Sequence, residues 1–412
     1  MTAAHLERPA TPTPGLRRVW ADFGPIYAAN GFVGFIFAAS GPVAIILSVG
    51  TRGGLSPAEL ASWLFGVFLV NGLITVAMSW RYRQPLCFFW TIPGTVLVGP
   101  ALQHLSFPEV VGAFYAAGAL ILVLGMSGLV KRAMQAMPMP VVMGMVAGVF
   151  LRFGLDLVRA LHGDPAIAAP MVLVFLALSA LPHFGRRMPP LIGALLAGAL
   201  AAVVLGRGHA SALGGLGLAR PVLQAPTLSW AAMIELVVPL AITVLVVQNG
   251  QGFAVLRTAG HNPPFNATTI ACGVGSLAAA AVGAVSSCLA GPTNALIASS
   301  GERERHYTAA ILTGLLAVAF GLVAPAFTGL MLAAPKEYIM VLGGLAMLRV
   351  LQAAFVASFK GRFTLGALVA FLVAVADLGL LNIGAAFWGL VAGFAMSWLL
   401  ERQDFAALAE AG

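Results

Sequence analysis

The sequence is poor in charge. Only 9% of its 412 residues are Asp, Glu, Lys or Arg, whereas 60% are hydrophobic. A soluble domain usually carries about 25% charged residues, so this composition excludes a soluble globular protein. Repeated apolar runs of about 18 residues or more indicate membrane-spanning helices. The chain is therefore predicted to be an all-α polytopic membrane protein.

Patterns of reactive residues are also scarce. The three cysteines, Cys87, Cys272 and Cys288, lie far apart and lack metal-ligand spacing. The sequence contains no HExxH motif, no acidic metal cluster and no Walker-type loop. We therefore expect no catalytic residues, no metal and no cofactor, and predict that the protein is not an enzyme. No apolar N-terminal stretch with a cleavage site is found, so a removable signal peptide is not expected either.

Hydropathy and chain breaks predict fourteen transmembrane segments: 26–49, 58–79, 86–103, 109–130, 137–158, 166–182, 188–206, 231–255, 265–284, 286–301, 307–331, 335–358, 364–380 and 383–400. A cytoplasmic N-terminus then places 15 of the 22 Lys and Arg residues inside and 5 outside. Basic residues collect in the cytoplasmic loops of inner-membrane proteins. This distribution indicates a multi-pass inner (plasma) membrane protein with both termini cytoplasmic. It also explains the net charge of +8 without nucleic-acid binding.

Two of these segments are interrupted. The third, "PLCFFWTIPGTVLVGPALQ", and the tenth, "VSSCLAGPTNALIASSG", each begin with strand-like residues and then meet a Pro-Gly or Gly-Pro pair. Non-helical backbone at membrane depth is tolerated only where protein or a wet cavity satisfies it. We predict that each segment forms a short extended strand followed by a half-helix.

An internal repeat relates the two interrupted segments. An offset of 197 positions aligns Gly94 with Gly291, Pro138 with Pro335, and Arg152 with Arg349. This offset spans seven segments, and an odd number inverts the second copy. The pattern predicts a seven-plus-seven inverted repeat, which is typical of secondary transporters whose substrate site lies at the interrupted helices.

Polar residues at membrane depth mark the predicted site. Segment eight carries three amides within "VLVVQNGQGFAVL", and the two half-helix N-termini would direct positive dipole ends toward an anion. The predicted substrate-binding residues are Pro93, Gly94, Thr95, Gln248, Asn249, Gln251, Gly291, Thr293 and Asn294. Two alternatives stay open: the Pro-Gly pairs are ordinary kinks, or the amides bond only to other helices. Apolar neighbours at Phe88, Phe89, Trp90, Ile92 and Leu289 favour an amphiphilic organic anion.

Ionisable residues within spans are functional candidates. Asp377, Glu235 and Asp156 are candidates for proton coupling. Arg152 and Asp156, four residues apart on one helix, are predicted to pair with each other. Asp377 and Glu235 lie toward span ends, where exposure to water is the simpler explanation.

The stretches "FFWTIPGTVLV", "GAFYAAGALILVLGMSGL", "MPMPVVMGMVAGVFLRFGLD", "QNGQGFAVLRTAGHNPP" and "GAAFWGLVAGF" resemble the benzoate:proton symporter (BenE) family over about residues 20–400. The resemblance implies the fold of the uracil-transporter and sulfate-exchanger superfamily and adds Ala39 and Ser40 to the substrate site. Uracil transporters carry carboxylates on segments eight and ten. Here Gln248 and Pro292 occupy the corresponding places, so the predicted pocket has no acidic residue.

The resemblance also implies a domain division. The core domain would comprise residues 23–132 and 227–333, and the gate domain residues 133–226 and 334–402, with cytoplasmic tails at 1–22 and 403–412. Transport would proceed by alternating access, in which the core moves against the gate.

The function implied is a secondary active transporter that takes up benzoate or a similar aromatic carboxylate together with protons. Its partners would be that small molecule, the proton and the lipid bilayer, and a homodimer is left open. The alternatives are transport of another organic anion or a nucleobase on the same fold, or an uncoupled anion channel.

Overall fold

A computed structural model describes residues 6–130, 138–181, 188, 190–207, 217–299, 301–332, 334–378, 380 and 385–405. In these ranges the regular structure consists of helices and two three-residue strands. The elements of the first half are α1 (Leu16–Asp22), α2 (Pro25–Ala39), α3 (Gly41–Arg52), α4 (Pro57–Tyr82), β1 (Phe88–Trp90), α5 (Ile92–Ala101), α6 (Phe107–Ser127), α7 (Met139–Gly163), α8 (Pro165–Ala180) and α9 (Pro190–Val204).

The second half begins with a helix that contains two π-helical turns, at Met233–Val237 and Thr243–Asn249. Single π-helical turns inside α-helices occur frequently at functional sites. The elements are α10 (Trp230–Thr258), α11 (Phe265–Ala280), β2 (Ser287–Leu289), α12 (Gly291–Ile297), α13 (His306–Leu322), α14 (Ala324–Leu332), α15 (Lys336–Phe359), α16 (Thr364–Ala376) and α17 (Ala385–Leu400).

The helical membrane fold is confirmed, and so is the strand-plus-half-helix form of segments three and ten. Seven stretches of the described chain are long and apolar enough to cross a membrane, and six shorter apolar helices accompany them. A described element lies at each predicted segment, but the count of fourteen crossings stays a prediction. Segment one differs in being two helices that meet at Ser40, because Pro42 cannot continue the hydrogen-bond ladder of α2.

The chain forms two compact units. Unit 1 comprises Met1–Ala38, Ala61–Met137 and Ala219–Ala324, and unit 2 comprises Ala39–Leu60, Pro138–Leu218 and Pro325–Gly412. Residues 39–60, which the sequence places in the core domain, are grouped with unit 2. The division into a mobile core and a gate stays a prediction.

Close helix contacts in unit 1 depend on small residues. A Cβ atom at Gly72 of α4 would lie 2.7 Å from the carbonyl oxygen of Gly314 in α13, and a Cβ at Gly314 would meet Gly72 O at the same distance. Small residues allow membrane helices to approach backbone to backbone. In unit 2, α7 packs against α15 and α16, and α16 packs against α17.

Candidate functional site

Strand pairing joins the two interrupted segments in unit 1. β1 and β2 are antiparallel, with Phe88 opposite Leu289 and Trp90 opposite Ser287. Thr91 N–H donates to Ser286 O at 3.0 Å and Ala290 N–H donates to Cys87 O at 3.0 Å, which extends the ladder at both ends. Each segment therefore satisfies the other's backbone at membrane depth. Because the strands are antiparallel, α5 and α12 begin at opposite ends of the ladder, and their N-cap residues Thr91 and Ala290 are about 13 Å apart along it.

The start of α5 is tied to α10. Thr91 is the N-cap of α5, and its Oγ1 accepts a hydrogen bond from Gly94 N–H at 3.1 Å. The same hydroxyl donates to Thr243 Oγ1 of α10 at 3.0 Å. Thr95 is fully buried and its hydroxyl donates to Thr91 O at 2.9 Å. These bonds fix the position of the half-helix, and the ligand role of Thr95 stays a prediction.

Two of the predicted amides hold the strands in place. Asn294 is fully buried; its Oδ1 accepts from Cys87 N–H at 3.0 Å, and its Nδ2 donates to Cys87 O at 2.9 Å and to Ala290 O at 2.8 Å. Asn249 is also fully buried, and its Oδ1 accepts from Leu289 N–H at 2.7 Å. Both amides thus bond the backbone of the interrupted segments.

The two glutamines differ from these asparagines. Gln248 is 7% exposed and Gln251 is exposed, and neither side chain has a hydrogen-bond partner among the described residues. Gln251 lies against the start of α12, where a Cβ at Gly291 would be 2.6 Å from Gln251 Cγ. The free amide of Gln251 therefore adjoins Gly291 at the start of α12, and Thr293 is buried in the same helix. Pro93 and Gly94 are buried at the start of α5.

An apolar pocket in unit 1 begins one helical turn after Gln251. It has a volume of about 480 Å³ and its lining residues belong to α10, α12 and the residues that follow them: Ala254, Val255, Thr258, Ala259, Ala295 and Ala298. Ala254 is three residues after Gln251, so the two share a helix face. Pockets for small organic ligands commonly span about 300–1,000 Å³, and the volume of this pocket lies within that range.

The aromatic residues of β1 have a packing role. Phe88, Phe89 and Trp90 are at most 4% exposed. Phe68 of α4 contacts Trp90 and Phe89 with ring centroids 5.1 and 5.9 Å apart. These rings fill the interior of unit 1. Ala39 and Ser40, at the break in segment one, are described with unit 2, and their binding role stays a prediction.

The predicted pair of Arg152 with Asp156 is wrong. Asp156 contacts Arg52 at 2.6 Å and Arg159 at 3.3 Å, while Arg152 pairs with Asp377. A pair in which the acid follows the base by four residues is the weaker order on a helix. Asp156 and Arg152 therefore pair with Arg52 and Asp377, which are distant in sequence. Asp377 is 42% exposed, as expected for a span end.

The expected exposure of Glu235 is also wrong. Glu235 is 5% exposed in the first π-helical turn of α10, and its Oε2 lies 2.9 Å from Nε2 of His104. His104 follows the C-terminus of α5. The sequence did not indicate a functional role for it, because it lies in a predicted loop. A buried carboxylate needs a charged or hydrogen-bonding partner, and His104 provides one.

A second histidine contact joins the loop between α10 and α11 to the start of α13. His261 Nε2 is 3.1 Å from Nδ1 of the buried His306. Burial, with smaller contributions from His306 and Arg303, lowers the pKa of His261 from 6.5 to about 4. The unfolded chain therefore binds a proton at this residue at a higher pH than the folded chain does. Stability from this site is present above about pH 6.5 and is lost as the pH falls toward 4.

We accordingly expect the melting temperature to fall between pH 7 and pH 5, and His261→Gln to flatten this dependence. Thermal unfolding in detergent across that range measures the effect. The matched control is His162→Gln, since His162 is exposed. An equally steep pH profile in His261→Gln would contradict the assignment.

Comparison with known proteins gives one family. Residues 21–399 match the family model BenE, described as benzoate membrane transport protein. The chain is 30% identical over 371 residues to the inner membrane protein YdcO of Escherichia coli, covering 88% of this chain and 93% of that protein. It is 28% identical over 394 residues to the benzoate membrane transport protein of Acinetobacter baylyi, covering 94% and 98%.

Solved structures show the same fold at low identity. The transmembrane domain of the cyanobacterial bicarbonate transporter BicA superposes with a TM-score of 0.62 at 16% identity, covering 93% of this chain and 99% of that one. SLC26A9 superposes with a TM-score of 0.63 at 14% identity, covering 90% and 64%. The protein is a multi-pass membrane transporter rather than an enzyme, and its fold is that of the transmembrane domain of BicA and of SLC26A9. The chain belongs to the BenE family.

Proposed function

We propose that the protein takes up benzoate or a similar aromatic carboxylate together with protons, by alternating access, with both termini in the cytoplasm. The supporting observation is the pair of glutamine amides, Gln248 and Gln251, which have no partners in the described chain; an apolar pocket begins one helical turn after Gln251. The family model and the Acinetobacter relative are both described by benzoate transport.

The carboxylate of such a substrate suits the glutamine amides, and its aromatic ring suits the apolar pocket. Amide N–H groups donate hydrogen bonds to a carboxylate, and the ten-residue half-helix α5 adds the positive end of its dipole nearby. The alanine methyl groups of the pocket suit the aromatic ring, because they offer apolar surface without polar atoms. A nucleobase edge also pairs with amides, so nucleobases belong in the binding test.

Replacing Gln248 or Gln251 with alanine is expected to weaken benzoate binding about 10- to 100-fold, since a hydrogen bond to a charged group contributes about 1.5–3 kcal/mol. Saturable counterflow of labelled benzoate in proteoliposomes gives the apparent affinity, and non-saturating flux would indicate a channel instead. The matched control is Gln352→Ala, whose side chain contacts Arg349 in unit 2. Unchanged affinity in both glutamine variants, or preference for nucleobases over benzoate, would refute the proposal.

A further inference from the structure

We infer that Glu235 and His104 together bind the coupled proton, an inference that rests on the proposed symport. The two side chains form a contact of 2.9 Å between α10 and the residues after α5. The Glu235 side chain is 4% exposed and that of His104 is 27% exposed. The pair therefore combines a buried carboxylate with an imidazole that reaches solvent.

The chemistry of this pair differs from that of the other two proton-coupling candidates. Asp156 and Asp377 face arginines, and a guanidinium stays protonated at any physiological pH. Imidazole gains and loses a proton in the physiological range. Among these three carboxylates, only Glu235 is paired in the described structure with a group that exchanges protons.

Proton binding changes the net charge of the pair. With one proton, taken from water outside, the pair is neutral overall as carboxylate and imidazolium. When that proton leaves to water on the other side, a buried carboxylate faces a neutral imidazole, which is costly in a low-dielectric setting. The strength of the link between α10 and α5 therefore depends on proton occupancy.

The same two elements form the candidate site at their other ends. Thr91 at the start of α5 bonds Thr243 of α10 at 3.0 Å, and a Cβ at Gly94 would lie 2.9 Å from Leu240 Cδ2. Since α5 has ten residues, the proton pair and the site lie about 15 Å apart along one packed contact. Glu235 lies in the first π-helical turn of α10 and Gln248 in the second.

Glu109 is a further charged group near the pair among the described residues. The elements that pack against the first π-helical turn include α5, which carries no charged residue, and α6, which carries Glu109. Glu109 accepts hydrogen bonds from Ser106 N–H and Oγ at 2.8 and 2.7 Å in a capping box. Glu109 is half-buried and already bonded to Ser106, so it does not replace Glu235 as the partner of His104.

The test compares proton-driven uptake with exchange in proteoliposomes. In the wild type, an inward proton gradient is expected to drive benzoate accumulation, and benzoate entry to acidify the lumen beyond protein-free liposomes. In Glu235→Gln, gradient-driven accumulation should fall about 10-fold or more, while benzoate counterflow at equal pH, which needs no net proton movement, remains measurable. Glu109→Gln is the matched control and should accumulate benzoate as the wild type does.

The outcomes separate the inference from the proposed function. A wild type that transports benzoate without protons overturns the symport and the inference with it. A wild type that couples protons, with Glu235→Gln accumulating benzoate equally well, overturns the inference alone. If Glu235→Gln does not fold, Glu235→Asp and His104→Gln are expected to shift the pH profile of uptake; unshifted profiles in both overturn the inference.

Discussion

Replacing Gly94 with alanine is expected to lower benzoate counterflow about 10-fold or more. A Cβ at this position would lie 2.4 Å from Thr91 Cγ2, 2.9 Å from Leu240 Cδ2 and 3.0 Å from Thr243 Oγ1. The added methyl group must displace the Thr91 cap and separate α5 from α10. Both the direction of the α5 dipole and the geometry of the site depend on that contact.

The graded control is Gly291→Ala, in which the nearest atoms belong to the flexible side chain of Gln251, so a smaller loss is expected. Gly163→Ala is the neutral control because no atom lies within 4 Å of its Cβ. Equal counterflow in Gly94→Ala and Gly163→Ala would show that the α5–α10 contact does not govern transport.

Replacing Asn294 with alanine is expected to destabilise the protein by about 3 kcal/mol, because it removes three buried hydrogen bonds and leaves the Cys87 N–H unpaired. The strand of segment three would lose its side-chain link to α12. A fall of several degrees in melting temperature should follow, measured by thermal unfolding in detergent.

Asn71→Ala is the matched control. Asn71 is fully buried in the same unit, but its Nδ2 donates only to Val67 O, one turn earlier on α4, and its Oδ1 has no partner in the described chain. Removing it leaves no new unpaired group, so the cost should be about 1 kcal/mol or less, apart from the cavity. Equal melting temperatures in the two variants would refute the role of Asn294 in holding the strand of segment three.

The membrane fold and the interrupted segments were predictable because they follow from local properties. Apolar composition over a span length, and a Pro-Gly or Gly-Pro pair after strand-like residues, restrict the backbone wherever they occur. The offset between Gly94 and Gly291 then related the two interruptions, and the pairing of β1 with β2 agrees with it. The break at Ser40 had the same local signal in Gly41-Pro42 but was not predicted.

The sequence by itself thus determined a polytopic helical protein with two broken segments and amides at membrane depth. Only the tertiary structure decided which amides are used: Asn249 and Asn294 bond the strands, whereas Gln248 and Gln251 have no partner in the described chain. It also showed that Arg152 pairs with Asp377 and not with Asp156, and that Glu235 is buried in contact with His104, 131 positions away in sequence. The reason is that periodicity fixes a residue's own helix, while its partner depends on which distant element packs against that helix.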